Sequence, residues 1–375
     1  MSFLLRPFGR IFVPALLAAS SCAHAADPIV GPEITSLRAY VASTLLPSSA
    51  SPLVAVLDTG FETLHPALVT RLVTGYNAFT GGSDVGLKPN DPFLYTHGTA
   101  IAGIVSADPT LIIWPRAVFP SARVLPIKIC CADSSGLADS NTLRQGILYA
   151  AGIPNDYGAA SPERAAVINI SYVISNTSDP GLIDAIQRAT RAGSVVVTAL
   201  GESTPEISPS MASVSGIIGV MTAPGGRSLP LTGLPMPAIP GPGTGVTILL
   251  PSGTVLLPIP SWGTTSGSSF ATAAVSAVAA MLIAENPNLS PADVATILSS
   301  PDVYDDEGLD AVLAVQKADT LPLPLPSPPT AMQSGGGSTS EATGGASGGG
   351  ALDGTGLAIL ALPALFGLIR RRRRV

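Results

Sequence analysis

The stretch Gly263–Ala274, GTTSGSSFATAA, carries six hydroxyl side chains in twelve residues, directly ahead of an Ala-rich segment. A serine hydroxyl is a weak nucleophile until a neighbouring base takes its proton, so the stretch raises the question of which base could serve it. Crowded Ser and Thr also mark solvated turns and helix N-caps, and that plainer reading stands unless partners are present. The chain has three histidines. His24 lies in an N-terminal leader, which leaves His65 and His97. His97 opens HGTAIAGIVSA, a helix start of small residues that another backbone can approach closely. Asp58 closes the apolar run LVAVLD, and Gly60 just beyond it permits a sharp turn. An acid at a strand end and an imidazole at a helix start can orient a base against a serine, which is the chemistry an unactivated hydroxyl requires.

Elements that could hold these groups follow from periodicity. Short apolar runs at Leu53–Asp58, Val124–Cys130, Val167–Ser171, Val195–Ala199 and Ile217–Val220 read as buried strands. Segments of helical length lie between and after them, at His97–Ala107, Ser140–Ala151, Gly181–Ala192 and Ser269–Glu285. The alternation predicts an α/β fold: a doubly wound, mostly parallel sheet flanked by helices. Reactive groups in such folds gather at the carboxyl ends of the strands. No internal repeat is visible.

The ends of the chain differ from its middle. Residues 1–25 place Arg6 and Arg10 ahead of the apolar run Ile11–Ala19 and an Ala23-His24-Ala25 cleavage motif, the pattern of an export signal peptide. A lipoprotein at Cys22 is the competing reading, with Ala19-Ser20-Ser21 a poor lead-in. Residues 26–50 form a short N-terminal segment, and residues 51–320 the main domain. Residues 321–350 are Pro-rich and then Gly/Ser-rich, a tether that cannot bury enough surface to fold. In residues 351–375 an apolar run of 16 residues, Gly354–Ile369, precedes the arginines 370–374. The run is somewhat short for a bilayer span, and the arginines would stay in the cytoplasm, leaving everything before them outside. An ordinary tail anchor accounts for this; so does a sorting signal, because the Gly-rich stretch, short apolar run and Arg cluster together resemble the GlyGly type processed by rhomboid-like sorting peptidases. Export machinery and such a peptidase are then partners, with the membrane engaged through the C-terminal segment.

Charge and cysteine content narrow the classes. The terminal segments hold seven of the 19 basic residues and one of the 25 acidic ones, which leaves residues 26–350 at −12 and argues against nucleic acid as a partner. With 46% apolar and 12% charged residues over 375 positions, the chain can build one large core, and disorder throughout is excluded. Cys130 and Cys131 are adjacent, cannot staple distant parts of the fold, and are expected as buried thiols rather than as a vicinal disulfide.

Taken together, the motifs resemble those of the subtilisin-like serine peptidases, the subtilases, over about residues 50–318. Asp58-Thr59-Gly60 with His65-Pro66 is similar to the family's aspartate motif, His97-Gly98-Thr99 with Ala102-Gly103 to its histidine motif, and Gly267-Ser268-Ser269-Phe270-Ala271 to its serine motif. The order Asp, His, Ser is also the family's. FPSARVLPIKI, VINIS, RAGSVVVTALGE and EGLDAVLAV follow in family order. The resemblance implies that Ser269, not Ser268, is the nucleophile, that His97 is the general base and that Asp58 fixes its tautomer. It makes His65 structural, closing the loop after Asp58, and puts Ser171, Tyr172 and Val173 along the substrate cleft. A protein or peptide substrate is implied. No cofactor is required; calcium is a family possibility with no site readable in the residues.

The sequence departs from the family at several positions. Ala100, Ala273 and Ala277 replace a common His, Pro and Gly. Glu202 stands where the family's strand ends in Gly-Asn, whose amide donates to the oxyanion; a carboxylate only accepts hydrogen bonds and repels developing negative charge. Two functions follow, an exported serine endopeptidase or a subtilase-fold protein with weak or no catalysis that binds peptides or acts as a scaffold; the intact Asp58, His97 and Ser269 favour the first. A serine esterase on the same fold ranks behind both. The stretch between Ala26 and Ser51 is short for a folding-assistant prodomain.

Overall fold

The computed structural model describes residues 29–87, 96–111, 113–130, 138–173, 179–201, 216–222, 238–242, 246–250 and 261–321. Seven parallel strands form the central sheet: β1 (Leu53–Asp58), β2 (Tyr76–Asn77), β3 (Arg123–Lys128), β4 (Val167–Val173), β5 (Val195–Ala199), β6 (Ile217–Thr222) and β7 (Ala238–Gly241). Their spatial order is β2-β3-β1-β4-β5-β6-β7. The chain therefore builds outward in both directions from β1, which pairs with β3 from Leu53↔Arg123 to Asp58↔Lys128 and with β4 from Val54↔Val167 to Leu57↔Ile170. A crevice at the carboxyl end of such a switch point is where a doubly wound sheet places its site.

Side-chain alternation along β1 explains why both faces are covered. Val54 and Val56 enter one buried cluster with α3 (His97–Val105) and α6 (Ser268–Glu285); Leu53, Ala55 and Leu57 enter a second with α4 (Ser140–Ala150) and α5 (Pro180–Arg191). Period-two strands with both sets apolar must be sandwiched between helix layers. The helix α6 is the core of the first layer. Among the described residues it alone is long and apolar enough to cross a bilayer, and it is buried in the protein instead. Its Ala side chains allow close approach: a Cβ at Gly241 on β7 would meet the Ala271 carbonyl oxygen at 3.1 Å.

The other ends are set by caps. Asp139 accepts from the Thr142 N–H before α4, and Asp179 from the Gly181 and Leu182 N–H groups before α5. Ser290 and Asp293 form a capping box at the start of α7 (Pro291–Ser299). Asp310 caps α8 (Ala311–Thr320) and also takes Arg38 at 2.5 Å. That ion pair, with the Ala311 N–H donating to the Leu37 carbonyl at 2.9 Å, ties the short helices α1 (Pro32–Ser36) and α2 (Ala39–Leu45) to the C-terminal end of the domain. An antiparallel pair, β8 (Val246–Leu250) and β9 (Ser261–Thr265), precedes α6, and the two-residue strands β10 (Tyr304–Asp305) and β11 (Gly308–Leu309) precede α8.

One expectation is corrected. Cys130 is buried two residues beyond β3, but it is disulfide-bonded rather than a free thiol. Cys22 and Cys131, the chain's other cysteines, lie outside the described residues. Burial shields a thiol from solvent but does not decide its redox state; compartment and neighbouring sulfur do. The expected signal peptide, the expected linker beyond Leu321, Glu202 and the C-terminal apolar run also lie outside the described residues.

Candidate active site

Asp58 is the last residue of β1 and is fully buried. Its carboxylate accepts from the Thr59 N–H at 2.7 Å and faces Nδ1 of His97 at 2.9 and 3.1 Å. An ionised carboxylate only accepts, so the imidazole proton sits on Nδ1 and leaves Nε2 with a free lone pair. That is the form a general base needs. Burial draws the His97 pKa down, the charge of Asp58 and the hydrogen bond to it push it up, and the outcome lies above the ordinary imidazole value.

The loop after β1 holds the start of α3. The Thr59 hydroxyl accepts from the Gly98 N–H at 2.9 Å, satisfying one of the first-turn N–H groups that a helix leaves unpaired. In return the Thr99 hydroxyl accepts from the Glu62 N–H at 2.9 Å. The two segments touch so closely that a Cβ at Gly98 would lie 2.9 Å from the Gly60 carbonyl oxygen. Gly98→Ala is therefore expected to push His97 away from Asp58, with a loss of about 1–3 kcal/mol in stability by denaturant unfolding and a fall in turnover. Unchanged values of both would mean that this approach has slack.

Ser269 lies in the first turn of α6 and is partly exposed, whereas Ser268 is buried. The Ser269 hydroxyl donates to the Ser171 carbonyl at 2.9 Å, and the Ser171 hydroxyl donates back to the Ser269 carbonyl at 2.9 Å. No hydrogen bond joins Ser269 to His97 in this rotamer, although the neighbouring Phe270 ring is 5.4 Å from the His97 ring. Behind Ser171, Asn169 donates to its hydroxyl at 3.0 Å and accepts from Ser276 at 2.9 Å. Sequence reasoning gave no role to Asn169, Ser276, Thr59 or Thr99. The available signal was a lone amide inside the apolar run VINIS, since a buried polar group must find partners.

Other expected residues fall where the fold allows. Tyr172, half-buried, turns its ring edge toward His97 with centroids 6.3 Å apart, and its carbonyl accepts from the Thr198 hydroxyl at 3.1 Å. Val173 ends β4 beside Ala199. The strand expected to lead to Glu202 is present as β5, and Gly201 after it takes φ +103°, a left-handed turn that suits glycine. His65 is fully buried; its Nδ1 accepts from the Ala67 N–H at 3.1 Å, its backbone N–H donates to the Glu62 carbonyl at 3.1 Å, and its ring meets Trp114 edge-on at 4.7 Å. Burial holds its pKa down, against a smaller upward pull from Glu62. It is thus bound up in closing the loop after Asp58. Among the described residues no group of three or more His, Cys, Asp or Glu is placed to hold a metal.

A base that works only when neutral gives activity that rises with pH. The acid limb of kcat/KM is expected to have its midpoint above 6.5, the ordinary imidazole value, because Asp58 raises His97. Asp58→Asn removes that charge and should move the midpoint down while lowering the plateau. A wild-type midpoint below 6.5 would mean that another group controls the limb.

Comparison with known proteins finds relatives among the peptidases. A thermophilic serine proteinase of a Bacillus species is 30% identical over 167 residues, covering 44% of this chain and 37% of that protein. Thermitase of Thermoactinomyces vulgaris is 29% identical over 150 residues, 40% of this chain and 47% of that protein. An extracellular protease of Xanthomonas campestris is 26% identical over 282 residues, 68% of this chain and 47% of that protein. The chain spans less than half the length of each of these three relatives. A solved protease structure from Pseudoalteromonas arctica superposes with a TM-score of 0.61 at 24% identity, covering 78% of this chain and 99% of that one, a likeness of fold. The model of the Subtilase family matches residues 49–312, the span that carries Asp58, His97 and Ser269, and on that match the chain belongs to the subtilase family.

Proposed function

We propose that this chain is an exported serine endopeptidase that hydrolyses peptide bonds through an acyl-enzyme on Ser269. The observation that carries the reading is the Asp58–His97 pair at the carboxyl edge of the sheet, its carboxylate fully buried and its imidazole partly exposed, with a partly exposed serine at the start of α6 whose neighbour Phe270 lies 5.4 Å from the His97 ring. Ser269 leaves the Ser171 carbonyl, rotates to Nε2 of His97, loses its proton there and attacks the substrate carbonyl. His97 returns that proton to the leaving amine, and water then releases the acyl group with His97 again as base. Asp58 keeps the proton on Nδ1 and stabilises the imidazolium. The Ser269 backbone N–H, in the first turn of α6, is one donor to the oxyanion. Ser171, Tyr172 and Val173 line the substrate cleft; the step requires no cofactor, and the family resemblance leaves room for calcium.

The chain is exported through its N-terminal signal and held at the envelope by residues 351–375, as an anchor or as a sorting segment that a peptidase removes. The layout is a signal peptide at 1–25, a short segment at 26–50, a catalytic domain at 51–320, a linker at 321–350 and the anchor or sorting segment at 351–375. A specific residue keeps a second reading alive: Glu202 in place of the oxyanion Asn suits a protein with weak or no turnover that binds peptides or acts as a scaffold.

Incubating the protein purified from its native envelope with a casein-type substrate separates the two. The endopeptidase reading expects internal cleavage products by mass spectrometry, suppressed by a fluorophosphonate. A folded protein that binds peptides and cleaves none would leave the second reading. Intact mass of the same preparation should lack residues 1–25. A soluble product retaining Arg370–Arg374 would contradict both the anchor and the sorting segment.

A further inference from the structure

We propose that Asn169 is a positioning residue for the nucleophile, acting through a directed chain of hydrogen bonds that runs from Ser276 to the backbone of Ser269; this rests on the reading of Ser269 as the attacking group. All three linking side chains are buried: Asn169 and Ser276 fully, and Ser171 at 3% exposure. Their bonds are Ser276 Oγ to Asn169 Oδ1 at 2.9 Å, Asn169 Nδ2 to Ser171 Oγ at 3.0 Å, and Ser171 Oγ to the Ser269 carbonyl at 2.9 Å.

The direction of the chain follows from its last acceptor. A carbonyl oxygen cannot donate, so the Ser171 hydroxyl must spend its only proton on Ser269. Ser171 Oγ can then only accept from Asn169, which requires the amide nitrogen on that side and the amide oxygen toward Ser276. Ser276 in turn must donate. Both flips of the Asn169 amide would suit two hydroxyls taken alone; the Ser269 carbonyl selects one of them. The network is closed, with every buried polar atom in it paired, a condition under which such networks fix a unique geometry.

Ser171 belongs to β4, whose neighbours are β1 and β5, while Ser269 and Ser276 are on α6. The chain therefore locks the first turn of α6 to the strand beside Asp58. Because the Ser269 hydroxyl also rests on the Ser171 carbonyl, the same strand sets both where the nucleophile's backbone stands and where its oxygen waits before turning to His97. Displacement of reacting atoms by ångström fractions is costly even when the cause is remote.

The test is a double-mutant cycle with three variants: Ser276→Ala, Ser171→Ala and the pair. Ser276 is seven residues from Ser269, about 10 Å along the helix, so its removal reaches the nucleophile only through the chain or through general stability. Single-turnover acylation by a chromogenic peptide ester gives the rate, and thermal unfolding gives stability. Ser276→Ala is expected to lower the acylation rate about threefold to tenfold in the wild-type background, with KM within twofold, and to have no further effect once Ser171 is Ala. Asn169→Asp, nearly isosteric, presents only acceptors, pulls the Ser171 proton away from the Ser269 carbonyl, and should lower the same rate by roughly tenfold to a hundredfold. A Ser276→Ala loss that is the same in both backgrounds, or one that appears in melting temperature alone, overturns the proposal while wild-type acylation upholds the peptidase reading. A folded wild type that does not acylate overturns both.

Discussion

Replacing Ser269 with Ala is expected to abolish peptide hydrolysis while leaving the fold intact. Ser269 sits at the first turn of α6 with its hydroxyl on the Ser171 carbonyl, so the substitution deletes one part-buried hydrogen bond and no apolar contact of the core. Its cost in stability should be small, whereas kcat should fall by roughly 10⁶, the magnitude measured for subtilisin on loss of its serine or histidine. His97→Ala is expected to cost as much. Asp58→Asn should cost less, about 10⁴ in kcat, because the base survives with a poorer tautomer preference. The losses should not add: with Ser269 gone, removing His97 changes nothing further. Kinetics of the single and paired variants on one peptide substrate checks this. Additive losses would mean that the three residues do not act as a unit.

Glu202→Asn is the change expected to raise activity most. The strand that leads toward it, β5, spans Val195–Ala199 as expected from RAGSVVVTALGE, and Gly201 takes a positive φ. If position 202 takes the place of the family's oxyanion amide, the wild type lacks one donor, a deficit of roughly 10²–10³ in turnover. Asn should restore much of that in kcat and leave KM nearly unchanged, because the bond forms chiefly in the transition state. In the wild type a protonated Glu202 could donate in mild acid, but His97 must be neutral to act as base, and its pKa is raised. The two requirements oppose each other, so protonation of Glu202 is expected to add little, and Glu202→Asn should raise the plateau while leaving the acid limb of His97, with its midpoint above 6.5, in place. Turnover that is unchanged or lower in a folded, active background would place Glu202 outside the oxyanion site.

What was readable in the sequence tracks how local the cause is. Strands β1, β3, β4, β5 and β6 were recognisable from unbroken apolar runs, because a strand buried on both faces has no polar face to confuse the count. Their ends shifted by up to two residues: β3 stops at Lys128 rather than Cys130, and β4 runs on to Val173. Asp58 and His97 were legible as types at a strand end and a helix start. Their 2.9 Å contact was not, since it depends on β1 and α3 being brought together by a loop whose Thr59 and Gly60 make bonds and contacts across 39 residues. β7 escaped because AIPG has neither length nor periodicity; its place comes from pairing with β6 and from packing on α6. The helices α1 and α2 are short and gain their stability from Arg38 meeting Asp310, a partner 272 positions away. The helix α7 went unread, although Ser290 and Asp293, three residues apart, form the capping box that starts it. The chain from Ser276 to Ser269 left only one trace, an amide among aliphatic residues.

The most direct measurement is to treat the folded core with a fluorophosphonate probe and map the adduct by mass spectrometry. An adduct on Ser269, lost in the Ser269→Ala variant and slowed in acid as His97 is protonated, is the result expected of an activated nucleophile. An adduct on Ser268, or none on a folded wild type, would contradict the assignment of Asp58, His97 and Ser269 as one catalytic unit.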